Sequence, residues 1–510
     1  MAIEITRRSG IATMLALAAA PGMARAAGLK GGTLRVALLA DMQNYDPHQF
    51  TTLNFPLIKN LYDSLIEYDA AGKPQPSLAT AWKIAPDNTS VSVTLRTGVS
   101  FHGGGAFTSA AVDATLKKAA DPQKGKNVFA TMSIVKNWTT PDAQTVVITF
   151  NGPVPDKQIL DLLQFVSVID PAGIDTVETK GAGTGPFTVG ERVLGQRIRL
   201  VANKSYWRPG EPIVSEVVFT IFSDNDAANA ALESGAADMI YGGGGRAAVR
   251  LRDAGYQLIQ GPGPLVQVLR INTTRGPFRN AKFRQAFNYL LDRRAILRVG
   301  YAGLGEVTAL PWAPASPAAD RSYDARYAFD LDKGRALLKE SGLSEAEMSS
   351  WKLLVNAGDA DGTAISQIVQ STLLKVGIKI DLEMRQGGEF VDAMLAGKFD
   401  AMFGGVGNVQ KFPTRVATNS IYRTAKNPVL GEPHPHPAYV AAIEKVNTTF
   451  GSGDSVKAAY DALNNAMIES SFAIPTNTFD LGLIVASKKV AGFTAEIDNM
   501  LVARTIGFAQ

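Results

Sequence analysis

An α/β architecture built from more than one domain is what this sequence predicts, and three observations predict it. Beyond residue 271, helix-period and strand-like segments alternate, the pattern of a largely buried sheet covered by helices. Between residues 66 and 180 the chain offers short alternating strands and turns instead, enough for a small domain of its own. The length of 510 residues exceeds what one core accommodates, so two or three domains are expected.

The N-terminus comes first. Thr6-Arg7-Arg8-Ser9 is a basic start, residues 10–23 are an apolar stretch, and Ala24-Arg25-Ala26 puts small residues at the two positions a signal peptidase reads. Residues 1–26 are therefore an expected signal peptide, with the mature chain beginning near Ala27 in the periplasm. The paired arginines point to the twin-arginine route. Gly10-Ile11 matches weakly what usually follows them, and general export is the alternative. The stretch is too short and Ala-rich for an anchor, and no other segment reaches the roughly eighteen apolar residues of a membrane span. No membrane insertion is expected. With no cysteine in the chain, a thiol nucleophile and an acylated N-terminal cysteine are both excluded.

The mature chain enters with "GGTLRVALL" (31–39), which alternates and then runs apolar as a strand should. A polar loop covers 41–47, and Leu57, Leu61 and Leu65 recur at helical spacing over 53–65. "SVSVTLRTGVSF" (90–101) and "TVVITF" (145–150) read as strands. Residues 107–120 read as a helix entered from Thr108 or Ser109. Strands follow at 196–201 and 214–221. A helix over 225–234 carries Ala227, Ala231 and Leu232 on its apolar face and stops at Gly235. "ADMIY" is then a short buried strand.

Past residue 271 the elements lengthen. Residues 281–299 form one expected amphipathic helix with Phe283, Phe287, Leu290 and Leu291 on its core side. Residues 330–341 are a helix closed by Gly342, and "WKLLVNA" is a strand. Residues 362–376 are a helix capped by Gly377, and "IKIDLEM" is the next strand. A helix over 389–396 precedes "FDAMFGG", a strand leading into a loop. "NPVLGEPHPHP" (427–437) reads as a surface excursion. Helices follow over 438–450 and 454–470, and a strand-like tail, "LGLIVASKKVAGF", is able to return to the first domain.

Chemistry is harder to find. The formal charge of +4 with no basic, aromatic-interleaved stripe excludes nucleic acid as a partner. "YGGGGRAAVR" (241–250) lacks the spacing, Lys and Ser/Thr of a phosphate loop and reads as a bend entering a short helix. "GAGTGPF" (181–187) lacks the context of a dinucleotide fingerprint. Ser133 and Lys136 match S-x-x-K without its companion motifs, and no G-x-S-x-G elbow occurs. The four histidines are His48, His102, His434 and His436. The last two, near Glu432, are too few for a zinc site and belong to an exposed rigid loop. His102 is expected to bond backbone groups. Asp224-Asn225-Asp226 reads as a helix cap rather than a calcium loop. No enzyme, metal or cofactor is expected.

Several stretches together resemble one family. "GGTLRVAL", "NYDPHQ" (44–49), the run from "LYDSLIEYDAAGKPQPSLATAW" through "FHGG" (61–104), "GTGPF" (183–187), "NKSYW" (203–207) and "NTTRGPFRNAKFRQAFNYLLDRRAI" (272–296) occur in its order and spacing. "FDLDKGRALLKESG" and "TLLKVGIKIDL" continue the match. The chain resembles the extracytoplasmic solute-binding proteins of the peptide/nickel/opine class (family 5) of ABC importers. The resemblance implies a two-lobed periplasmic-binding-protein fold (type II, class C) with an extra small inserted domain. Lobe I maps to 29–65, 182–271 and 478–510, the inserted domain to 66–181, and lobe II to 272–477. It also implies a small-molecule solute and membrane permease subunits as partners, and a monomer.

By the same resemblance, loops beside the interlobe cleft supply the ligand-binding residues: Asn44, Tyr45, Gly185, Tyr241, Gly244, Arg246, Gly407, Asn408 and Arg415. "YGGGG" would let backbone approach the ligand or the opposite lobe where side chains would block closure. Peptide-binding members carry an acid that holds the peptide amine in a run corresponding to "GGVGNVQKFPTR" (404–415), and that acid is missing here. The strand "LLVNAGD" lacks the arginine with which dipeptide binders grip a carboxylate. A small polar solute, such as an opine or an amino-acid–sugar conjugate, is therefore expected to meet Asn408, Lys411 and Arg415. An oligopeptide or dipeptide ligand, or a sensory role on the same fold, is the alternative.

Overall fold

Two separate sheets carry the architecture in the computed structural model. It describes residues 29–509 apart from 40, 43, 50–54, 70, 262, 264, 426, 432–433, 452, 481 and 494–500. The expected signal peptide lies outside the described residues.

The first sheet has seven strands, ordered Gln257–Ile259, Ile484–Ala486, Met239–Tyr241, Thr33–Leu38, Glu216–Ile221, Arg197–Ala202, Phe187–Val193. Its central strand, Thr33–Leu38, runs parallel to both neighbours. Alternation dictates its placement: Leu34, Val36 and Leu38 enter one core, while Ala37 faces a second core with Leu232 and Leu251. The tail returns as expected, Ile484–Ala486 pairing antiparallel with Met239–Tyr241 and Gln257–Ile259.

The second sheet has five strands, ordered Asp381–Arg385, Lys352–Asn356, Ala401–Val406, Leu265–Ile271, Ala473–Phe479. Lys352–Asn356 is parallel to both neighbours, and Leu265–Ile271 is antiparallel to both of its own. The sequence assigns 265–271 to the first lobe. The strand instead belongs to this sheet, because its two ladders lie there and its residues feed the cores on both faces. The chain therefore crosses between the sheets just before Leu265 and again just after Phe479.

A four-stranded antiparallel sheet, ordered Ala79–Ile84, Ser90–Leu95, Thr145–Phe150, Val135–Asp142, packs on the helices Ser109–Ala120 and Asp156–Phe165 around its own apolar core. A buried ion pair ties it to the loop after the first central strand, with Lys118 Nζ 2.7 Å from Asp46 Oδ2.

Two local readings are corrected. Residues 281–299 form two helices, Ala281–Leu290 and Arg293–Gly300, because Asp292 caps the second by accepting the Ala295 N–H at 2.9 Å. The Phe283–Leu291 stripe is buried as expected, with Phe283 tilted against Phe278 and Phe278 edge-on to Trp351. The segment 427–437 is not a surface excursion throughout. Asn427, Val429 and Leu430 are buried, and the rings of His434 and His436 pack on Tyr439 and Phe472. Apolar contact outweighs the polar composition there.

Candidate functional site

A cavity of about 580 Å³ lies where the two sheets face each other. From the first sheet's side come Asn225, the four glycines 242–245 and Leu483. From the second come residues of Leu265–Ile271, Lys352–Asn356 and Ala401–Val406, together with Tyr301 and Phe479. The walls are mostly apolar, with Gln267, Arg270, Asn356, Asp359, Asp361 and Asp480 as polar groups among them. That mixture is the one in which a few aimed polar groups orient a small molecule.

The glycine run follows Met239–Tyr241 and enters the helix Gly245–Asp253. Gly242 takes φ +82°, a left-handed turn that glycine adopts without strain. The Gly244 N–H donates to Asn225 Oδ1 at 2.9 Å, so the bend is tied to the neighbouring helix Asn225–Glu233. A Cβ on Gly245 would sit 3.3 Å from the Tyr301 carbonyl oxygen, across the cleft. At Gly245 the backbone on the first sheet's side comes close to the other side of the cleft.

Next to it, Arg246 spans the gap. Its Nη2 lies 2.9 Å from Asp361 Oδ1 and donates to the Val299 carbonyl at 3.1 Å. Both side chains are largely exposed, so the pair contributes up to about 1 kcal/mol. Burial raises the Asp361 carboxyl above its ordinary value; Arg246 opposes this and Asp359 adds to it. Asp359 caps the helix Ala360–Leu374 by accepting the Gly362 N–H at 2.9 Å.

Of the nine sequence-derived residues, Gly244 lines this cavity, and Arg246 stands beside it. Tyr241 is buried directly before the glycines. The others sit elsewhere among the described residues. Asn44 Oδ1 accepts the Asp46 N–H, and the Tyr45 carbonyl accepts the Tyr62 hydroxyl at 2.9 Å. A Cβ on Gly185 would meet the Leu61 carbonyl carbon at 2.4 Å, so this glycine permits close backbone packing. Its carbonyl lies 2.9 Å from His102 Nε2. Gly407 exchanges hydrogen bonds with the Asn419 amide, and Asn408 holds φ +62°.

The segment after Ala401–Val406 turns towards the four-stranded module. Lys411 Nζ donates to Gln164 Oε1 at 3.0 Å, and the Phe412 N–H donates to Asp161 Oδ2 at 2.8 Å. The Arg415 guanidinium lies 5.2 Å from the Phe165 ring centroid, and burial lowers its pKa.

Most of the cavity's polar groups escaped the sequence reading, Arg270 among them. Arg270 lies in the second sheet's strand Leu265–Ile271 and borders the cavity. Its Nη2 donates to the Gly405 carbonyl. The signal that could have found it is a lone cation inside an otherwise apolar strand, "LVQVLRI". Among the described residues, no cluster of three or more His, Cys, Asp or Glu is arranged to hold a metal.

The model of "Bacterial extracellular solute-binding proteins, family 5 Middle" matches residues 73–427. The glutathione-binding protein GsiB of Shigella boydii is 26% identical over 388 residues, covering 75% of this chain and 74% of that protein. The structure of AgaA from A. tumefaciens R10 in complex with agropinic acid superposes with a TM-score of 0.77 at 23% identity, covering 94% of this chain and 99% of that one. CtaP from Listeria monocytogenes, an ABC transporter substrate-binding protein, gives a TM-score of 0.82 at 18% identity, covering 94% and 100%. The fold is the two-lobed α/β fold of periplasmic binding proteins. A two-sided cleft, that fold and a family match across most of the chain lead to one conclusion: this chain belongs to the family 5 bacterial extracellular solute-binding proteins.

Proposed function

We propose that this chain captures a small polar solute in the periplasm, closes over it, and hands it unchanged to the permease subunits of an ABC importer. One observation carries the reading: the cavity of about 580 Å³ is lined from both sheets, which are joined by chain crossings near 260–264 and 480–483. Such an arrangement supports hinge closure, in which solute contacts to both lobes stabilise the closed form. On this reading lobe II begins near Leu265 and ends near Phe479, residues 66–181 form the inserted domain, and the remaining mature chain forms lobe I. The protein works as a monomer.

Gly244 and Arg246 are the sequence-derived residues we place at the solute. Asn44, Tyr45, Gly185, Tyr241, Gly407, Asn408 and Arg415 set the positions of the surrounding loops. An opine or amino-acid–sugar conjugate remains the first solute class, since Lys411 and Phe412 engage the inserted module rather than reproducing a peptide-amine site. A short peptide is the second, favoured by the likeness to glutathione-binding proteins.

The test is mass spectrometry of the solute that leaves with the purified protein, followed by calorimetry with that compound and its uptake by a deletion strain. The expected result is one compound, bound without conversion, whose uptake fails without the gene. Recovery of a converted product, or unchanged uptake, overturns the reading.

A further inference from the structure

Packing alone gives no reason for a cation at position 270. Its neighbours Leu269 and Ile271 are fully buried, and an aliphatic side chain would complete the strand at lower cost. The guanidinium instead borders the cleft with one N–H partnered, to the Gly405 carbonyl, out of the five it carries. Its Nε–H is shut away from solvent, and among the described residues it has no acceptor. Among the described residues no carboxylate forms an ion pair with it. Burial lowers its pKa, and Tyr422 is the ionisable neighbour that opposes the shift. Leaving a cation in such a place is costly unless something pairs with it.

The chain nonetheless makes room for this group. A Cβ on Gly404 would fall 2.7 Å from Arg270 Nε and 2.9 Å from its Cζ. The adjacent Gly405 offers the carbonyl that orients the guanidinium, and its own Cβ would strike the Phe479 ring at 2.9 Å. The acids of the cleft are engaged elsewhere: Asp361 with Arg246, Asp359 with its helix cap, and Asp480 with the Gly482 N–H at 2.7 Å.

We propose that Arg270 is the specificity-determining anchor of this cleft, and that it takes the carboxylate of a small organic acid whose apolar part lies against Leu265, Leu354, Met402 and Phe479. The proposal rests on the solute-binding reading above and narrows it to a ligand class. A guanidinium offers a planar pair of donors that matches a carboxylate, and the pairing gains strength where water is excluded. The solute supplies the missing counter-charge, so binding also removes the cost of the empty site.

The test compares wild type, Arg270→Gln and Arg270→Lys by calorimetry against matched acids and amides: benzoate with benzamide, and N-acetyl-leucine with N-acetyl-leucinamide. Wild type should prefer each acid by about tenfold or more, the scale of a hydrogen bond to a charged group. Arg270→Gln should lose that preference, and Arg270→Lys should retain part of it. Thermal melts of the empty proteins control for folding, and Arg270→Gln should melt no lower than wild type. Equal binding of acid and amide by wild type, an acid preference that survives in Arg270→Gln, or no binding of either acid overturns the proposal. The importer reading fails separately, through unchanged solute uptake in the deletion strain.

Discussion

Gly245 brings the backbone on one side of the cleft close to the other. The Tyr301 carbonyl already lies 3.3 Å from the position of a Cβ there, so a longer side chain must push the two sides apart. Gly245→Leu should weaken solute binding by about tenfold, while the empty protein melts within a few degrees of wild type; calorimetry beside a thermal melt checks both. His48 is sensitive in another way. Its ring is buried beside the Lys118–Asp46 pair, and burial, then Lys118, lower its pKa from 6.5 to about 4 against the opposing effect of Asp46. The unfolded ring protonates near its ordinary value and the folded one does not. Its share of stability is therefore complete above pH 6.5, is lost as the pH falls from there towards 4, and changes little below. The loss is on the order of 3 kcal/mol. Denaturation midpoints across that window should fall, and His48→Gln should flatten the slope. A residual slope should persist from His102 and His436, whose pKa values burial also lowers.

Among the elements, the break between Ala281–Leu290 and Arg293–Gly300 matters most, because the second helix ends at Gly300 and Tyr301 on the cavity wall. Asp292→Ala removes its cap and should cost about 1 kcal/mol in urea denaturation, with a measurable loss of solute affinity because the wall moves with the helix. Elements with one strong local signal were legible in the sequence. The alternation of "TLRVAL" and "TVVITF", Thr108 ahead of its helix and Gly377 after its own sit where the pattern puts them, and the helix expected over 330–341 forms as Leu331–Glu340. Elements decided by tertiary contact were not. Periodicity runs through Leu291, yet there the backbone turns extended and ends the first helix, and the Asp292 side chain caps the second. Residues 427–431 look polar and loop-like, yet Val429 and Leu430 are needed to fill a core. The cleft was less legible still. Arg270, Asp361 and the glycines arrive from distant segments, and nothing local in "LVQVLRI" tells which way its arginine points.

At the scale of the molecule, the prediction concerns the balance between open and closed forms. Arg246 and Asp361 form an exposed bridge across the cleft, so its contribution should be small and screened by salt. Arg246→Ala should weaken solute binding by up to about fivefold at low ionic strength, and the gap to wild type should shrink in high salt. Calorimetry at two salt concentrations, with scattering curves of the empty protein, checks this. Lys411 and Phe412 carry a further implication. They reach from the second sheet's side to Gln164 and Asp161 of the inserted module, which the chain joins covalently to the first. The second sheet's side is thus tied to the inserted module by hydrogen bonds, in addition to the chain crossings that join it to the first sheet. On the proposed closure, opening would either break these bonds, wetting a carboxylate that also accepts the Tyr68 hydroxyl, or carry the inserted module along with lobe II. On the proposed closure, these two hydrogen bonds would help set how fast solute enters and leaves.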